Sequence, residues 1–165
     1  MKSFDLEAAT QKAYRLLSLR PHSERELEKK LREKGFPAVV VKETLEKLHD
    51  LKYLNDASFA RQWARNLVVN KLWGDKKAAA SLREKGIVDD LINAALEKAR
   101  EEISEEEAIE ILIKKKAARR KTAALDFKEK QKIFRALMGR GFPPGLILNK
   151  LGKIEKEEMD DNDRQ

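Results

Sequence analysis

No cysteine occurs in the chain, which excludes disulfides, thiolate metal sites and thiol nucleophiles and gives no support to an oxidising compartment. Glycine and proline are sparse, seven and four residues in 165, so the punctuation that short strands and turns require is mostly missing. Aromatic residues make up 6%, and the basic stretch holds only Phe127, Phe134 and Phe142, so the aromatic interleaving of a single-strand stacking platform is nearly absent there. The apolar runs fall short of the roughly 18 residues needed for a membrane-spanning helix, and the first ten residues, MKSFDLEAAT, carry acids where a signal peptide needs an apolar stretch. A cytoplasmic location and no membrane contact are therefore expected. Only two histidines occur, His22 and His49. Neither has a partner at metal-ligand or catalytic spacing, so both are expected to be structural.

What the chain does have is charge and helical periodicity. Charged residues make up 39% and hydrophobic residues 41%, a profile of long solvated helices and an all-α fold. The net charge of +7 is unevenly placed. Residues 1–110 balance 21 basic against 21 acidic side chains, residues 111–153 hold 13 against 2, and residues 154–165 hold 2 against 6. The middle of these segments is a polyanion-facing surface by its charge alone.

The pentapeptide LREKG stands at 31–35 and again at 82–86. That match sets a register of 51 positions in which Ala9 meets Ala60, Ala13 meets Ala64 and Leu16 meets Leu67. A weaker copy, LMGRG, stands at 137–141. In each copy the glycine (Gly35, Gly86, Gly141) follows a leucine by four positions (Leu31, Leu82, Leu137) and precedes another by ten (Leu45, Leu96, Leu151). Three copies with matched apolar flanks indicate an internal repeat.

Each repeat reads as three helices. The first starts near Asp5, near Asn55 or Asp56, and at Ser104; the second starts at Ser23, at Gly74 or Asp75, and at Asp126. Ser23 with Glu26, Ser104 with Glu107 and Asp126 with Glu129 have capping-box spacing. The second helix closes at the repeated glycine, and the third starts almost at once, with Pro37 and Pro143 suited to a first turn. The expected fold is all-α, three tandem three-helix repeats forming an elongated curved array, with boundaries at 1–51, 52–103 and 104–154. Residues 155–165, acidic and without apolar periodicity, are expected to be a disordered tail. Phe127, Phe134 and Phe142 are assigned to the core, as is Trp63, while Trp73 fits either core or interface.

No phosphate-cradling glycine motif, metal cluster or isolated acid pair is present; Glu24 with Glu28 and Asp89 with Asp90 lie among lysines and arginines as solvated salt-bridging faces. The chain is thus expected to be no enzyme and to need no cofactor or metal. The candidate binding residues are Lys114, Lys115, Lys116, Arg119, Arg120 and Lys121, with Arg140 further along. Their density at the end of a helix exceeds what its dipole calls for, and a phosphate backbone or an acidic protein surface would suit them. Lys128, Lys130, Lys132 and Arg135 continue the basic run.

The stretches LLSLRPHSERELEKKLREKGF (16–36), YLNDASFARQWA (53–64), the spaced frame from Gly74 to Ile87, and LMGRGF together resemble the RecX regulatory proteins over roughly residues 8–152. The resemblance implies three tandem three-helix repeats and a non-enzymatic modulator of the RecA recombinase. Such a protein binds the RecA filament on single-stranded DNA along its groove and restrains ATP hydrolysis, strand exchange and filament growth. The self-contained repeats lead to the expectation of a monomer, and single- or double-stranded DNA is expected to be met weakly or by way of RecA. The competing expectation, from the residues alone, is a free-standing helical DNA- or RNA-binding protein that uses the basic third repeat.

Overall fold

A computed structural model describes residues 4–119 and 125–162. Among the described residues the chain is helical throughout, without strands: α1 (Leu6–Leu19), α2 (Glu24–Glu33), α3 (Ala38–Asp50), α4 (Asp56–Arg65), α5 (Asp75–Glu84), α6 (Asp89–Arg100), α7 (Glu105–Ala117), α8 (Phe127–Gly139) and α9 (Pro144–Asn162). The expected tandem three-helix repeats are therefore the observed architecture. Between α4 and α5 the helix widens into a π turn, Asn66–Asn70, and the chain then turns at Leu72, a buried residue with φ of 53°.

Local chemistry accounts for the helix ends. Asp5, Ser23, Asn55, Ser104 and Asp126 each accept a backbone N–H three positions on, at 2.8–3.2 Å. All three capping boxes close. The second helix of every repeat ends in a Schellman motif: Phe36, Ile87 and Phe142 donate to the carbonyls of Leu31, Leu82 and Leu137 at 3.1–3.3 Å, across glycines with φ of 94°, 78° and 89°. The repeat leucines turn inward as expected, Leu31, Leu82 and Leu137 being at most 1% exposed.

Contacts divide the chain into two compact units, one of residues 1–63 with 81–95, the other of residues 64–80 with 96–165. The first unit packs Ala13, Leu27, Leu31, Val41, Leu48 and Leu54 into a core; each fully buried leucine stabilises by about 1.5–3 kcal/mol. The second packs Ile109, Ile113, Ile133, Leu137, Phe142 and Ile147, from α7, α8 and α9. Two sequence expectations are corrected here. The helix α9 continues through Asn162 and so takes in 155–162, which had been expected to be disordered. Those residues show no apolar periodicity, yet Glu, Lys and Met are strong helix formers, and Glu155 pairs with Lys130. Phe127 is 74% exposed instead of buried. It is the first residue of α8, and a side chain there leans back past the helix start, where no earlier turn covers it.

Each unit holds one junction between successive repeats, built the same way. A Schellman motif leaves the carbonyl of the residue before the glycine without an intrahelical partner. In the first unit the Lys85 carbonyl accepts from Ser23 Oγ, 2.5 Å. In the second the Arg140 carbonyl accepts from the Gly74 N–H, 2.8 Å. The helix start of one repeat thus docks on the helix end of the next. The approach is close: a Cβ on Gly86 would lie 2.3 Å from Arg25 Cδ, one on Gly141 2.5 Å from the Lys77 nitrogen, and one on Gly74 2.4 Å from the Gly141 carbonyl.

Side chains repeat the pattern. The Glu24 N–H donates to Asp56, and the Asp75 N–H to Glu105, so the first acid of α4 or α7 caps α2 or α5. Burial pushes both carboxyls above their ordinary range. His49 holds Glu24 at 2.8 Å, and Arg100, 51 positions on, holds Asp75 at 2.8 Å while also donating to the Trp73 carbonyl. In the first junction Glu26 accepts from Arg20 (3.0 Å) and Lys85 (2.5 Å). Its burial opposes ionisation, but those two cations and the Ser23 N–H outweigh it and hold the carboxyl at about 2. His22 is buried, with Nδ1–H donating to the Arg20 carbonyl and Nε2 accepting from Lys30. Burial first, then the neighbouring cations, lower its pKa despite the Arg20 carbonyl, so the ring is held neutral.

These contacts lead to expected outcomes for the closing glycines and for the pH dependence of stability. In urea denaturation, Gly141→Ala is expected to cost about 2–3 kcal/mol, since strain at positive φ adds to a backbone collision. Gly152→Ala, within α9 and with nothing within 4 Å, is expected to stabilise by about 0.5–1 kcal/mol. Stability is expected to fall in acid, first below the ordinary histidine value of 6.5 as His22 is forced to protonate, then between 4.5 and about 2 as Glu26 loses its charge. Glu26→Gln should remove the second phase, seen as a flattened melting temperature between pH 4.5 and 2, at a cost of about 2–3 kcal/mol at neutral pH.

Candidate functional site

The helix α7 sorts its charges by position. Glu105, Glu106 and Glu107 occupy the first turn and Lys114, Lys115 and Lys116 the last, each set complementing the helix dipole. Four buried residues, Ala108, Ile109, Leu112 and Ile113, fix the helix in the core of the second unit, which leaves Lys114, Lys115 and Lys116 exposed at its end. Arg119, just past the C-cap Ala118, is also exposed. None of these four cations is paired with a carboxylate among the described residues; the nearest acid on the helix, Glu110, is taken by Lys150 of α9. That pairing holds the Glu110 carboxyl below its ordinary range. Arg120 and Lys121 lie outside the described residues.

Arg140 belongs elsewhere. Its backbone carbonyl docks on Gly74, and its Nη1 donates to the Lys71 carbonyl at 2.6 Å. The neighbouring Asp75 is bonded to Glu105, at the opposite end of α7 from Lys114. Thirteen residues of helix span roughly 20 Å. The basic residues singled out from the sequence therefore form an α7-end cluster of Lys114, Lys115, Lys116 and Arg119, with Arg140 set apart at the second junction.

At that junction Arg140 is joined by Lys71 and Lys77, two cations the basic run in the sequence did not include. Lys77 Nζ lies 4.1 Å from the centroid of the Trp73 ring and Lys71 Nζ 5.5 Å from it. Trp73 is half-buried. Trp63 is also half-buried instead of buried: it stacks on Phe59 with ring centroids 5.6 Å apart, donates its indole N–H to Ser81 and has Lys85 over its face at 4.9 Å. Lys71 and Lys77 were detectable in the sequence only through the repeat register, where Arg20 is matched by Lys71 and Glu26 by Lys77.

Grooves lie in both units. One of about 720 Å³ in the first unit is lined by α2 and the end of α5, with charges of both signs, Arg25, Glu28, Lys29 and Arg32 among them. The other, about 510 Å³ in the second unit, has an apolar floor of Phe127, Phe134, Leu148 and Leu151 rimmed by Lys130, Arg135 and Glu155. The acid pairs behave as salt-bridging faces: Glu28 pairs with Arg32 and Asp89 with Arg83. Among the described residues no group of His, Asp and Glu could hold a metal ion, and no helix is long and apolar enough to cross a membrane.

Comparison with known proteins places this architecture. Three family models match in order: the first three-helix domain of RecX at residues 9–48, the second at 55–96 and the third at 104–151. A regulatory protein RecX of Vibrio cholerae is 45% identical over 83 residues, half of this chain and 54% of that protein, so the match spans about half the length of that relative. One of Mycolicibacterium smegmatis is 31% identical over 139 residues, covering 82% of this chain and 73% of the relative. The crystal structure of RecX from Lactobacillus salivarius superposes with a TM-score of 0.77 at 25% identity, over 92% of this chain and 97% of that one. A second RecX crystal structure gives 0.68 at 28% identity, over 86% and 70%. The repeated Schellman closures, the order of the three domains and these likenesses agree, and the chain belongs to the RecX family of regulatory proteins.

Proposed function

We propose that this chain is a non-enzymatic regulator that binds the RecA filament on single-stranded DNA and restrains its ATP hydrolysis, strand exchange and growth, in the cytoplasm and as a monomer. Family membership supports the partner. The observation that carries the binding surface is the α7-end cluster, in which Lys114, Lys115, Lys116 and Arg119 are exposed and unpaired among the described residues. Such a group of cations loses little on meeting an anionic surface, because no internal ion pair must first be broken. Tandem repeats suit a filament, since contacts with successive subunits add through effective concentration instead of through one deep pocket. Among the described residues no group of side chains could hold a metal ion, and charges that line the groove of the first unit are joined as ion pairs, Glu26 with Lys85 and Glu28 with Arg32.

The test is a titration of this protein into RecA ATPase and strand-exchange assays at several salt concentrations. Inhibition that weakens as salt rises is expected. Reversing Lys115, Arg119 and Arg120 to Glu should raise the half-inhibiting concentration by about tenfold or more and flatten the salt dependence. Unchanged inhibition by the triple variant across the salt series overturns the assignment of the surface. Tight binding to naked DNA with no effect on the RecA ATPase favours instead a free-standing nucleic-acid-binding protein.

A further inference from the structure

The two repeat junctions use the same positions with different charges. In the first, Arg20 and Lys85 share the Glu26 carboxylate, which is 11% exposed. In the second, Lys71 stands for Arg20, Lys77 for Glu26 and Arg140 for Lys85, each of the last pair being the residue before the closing glycine. Two cations around one anion have become three cations around none. The neighbouring acids are committed: Asp75 to Arg100 at 2.8 Å, and Glu105 to the Asp75 N–H at 2.9 Å. Among the described residues no carboxylate pairs with Lys71, Lys77 or Arg140. The ring face of Trp73 attracts Lys71 and Lys77 through its quadrupole but brings no net charge.

We propose that the second junction binds a backbone phosphate of single-stranded nucleic acid at the place where Glu26 stands in the first junction. Lys71, Lys77 and Arg140 supply the charge, and the half-buried Trp73 offers its remaining surface to a neighbouring base. Three neighbouring cations exceed what one carboxylate neutralises, whereas a strand delivers one charge per nucleotide and a flat base beside each. Phosphates are commonly held by Lys and Arg side chains, both present here, and such contacts read no sequence. A sequence-tolerant site is therefore expected. The stacking aromatic comes from the repeat before the basic run, 67 positions ahead of Arg140, which is why the run itself looks poor in stacking residues. The inference is independent of the filament reading and concerns the protein with naked strand alone.

The experiment uses the full chain and an oligothymidylate, followed by anisotropy of the labelled strand and by Trp73 fluorescence in a Trp63→Phe background, which leaves a single tryptophan. Lys77→Glu recreates the first-junction carboxylate and fills the site from within. The expected results are an affinity about tenfold lower or worse, a salt slope shallower by about 1–2 because fewer phosphates are engaged, a higher melting temperature, and loss of the Trp73 response to the strand. Lys77→Gln should lose affinity without the gain in melting temperature, which separates filling the site from merely neutralising it. Undiminished strand binding by both Lys77 variants overturns the proposal, as does an oligothymidylate complex that leaves Trp73 fluorescence unchanged. Displacement of the strand by polyglutamate at equal charge concentration also overturns it and assigns the site to a protein carboxylate. None of these readouts contains RecA, so their failure is distinct from a failure in the ATPase assay.

Discussion

A carbonyl that cannot be satisfied inside its own helix sets the register of this protein. The Schellman closure at Gly86 or Gly141 bonds carbonyls of the preceding turn, Leu82 and Arg83 or Leu137 and Met138, but leaves that of Lys85 or Arg140 pointing outward. A buried carbonyl without a donor costs about 1–3 kcal/mol, and the donor is supplied by the start of the second helix one repeat earlier, Ser23 or Gly74. An orphan acceptor at one helix end thus meets an orphan donor or cap at another. The contact is at backbone distance, so a side chain at the closing glycine would push the two repeats apart, and the inward leucines could then no longer meet their neighbours.

Because backbone groups set the register, the side chains around each junction are free to diverge. Ser23 has become Gly74, and a hydroxyl-mediated contact has become a direct amide–carbonyl bond with closer backbones. His49 with Glu24 has become Arg100 with Asp75, a weaker and a stronger version of one link. The acid that caps from the next repeat is Asp56 in one and Glu105 in the other. The Glu26 carboxylate has become the Lys77 ammonium, which turns an internally neutralised cluster into one that wants an external anion. A frame with redundant supports lets one of them change without loss of the register.

This division explains why the family signature says little about contact chemistry. The repeated leucines and glycines are consumed by packing and closure. The exposed cations at the end of α7 and those around Trp73 differ from one repeat to another. Regulation by surface contact requires only that the frame hold those surfaces steady, and the capped, Schellman-closed helices do so.

The sequence by itself determined where helices begin and end and which face of each is buried, because capping boxes, closing glycines and the spacing of leucines act over three or four residues. Leu31, Gly35 and Ser23 could be assigned from their immediate neighbours, and the structure keeps those assignments. Only the tertiary structure decided which charges meet. Glu26 finds Lys85 59 positions away, Arg140 finds Lys71 69 positions away, and the basic run, continuous on paper, is parted into an α7-end cluster and a junction cluster. It decided as well that Phe127 faces solvent and that α9 runs on to Asn162. A helix end is governed by hydrogen bonds within one turn, whereas a long-range ion pair depends on how two helices are set against each other, which no local spacing encodes.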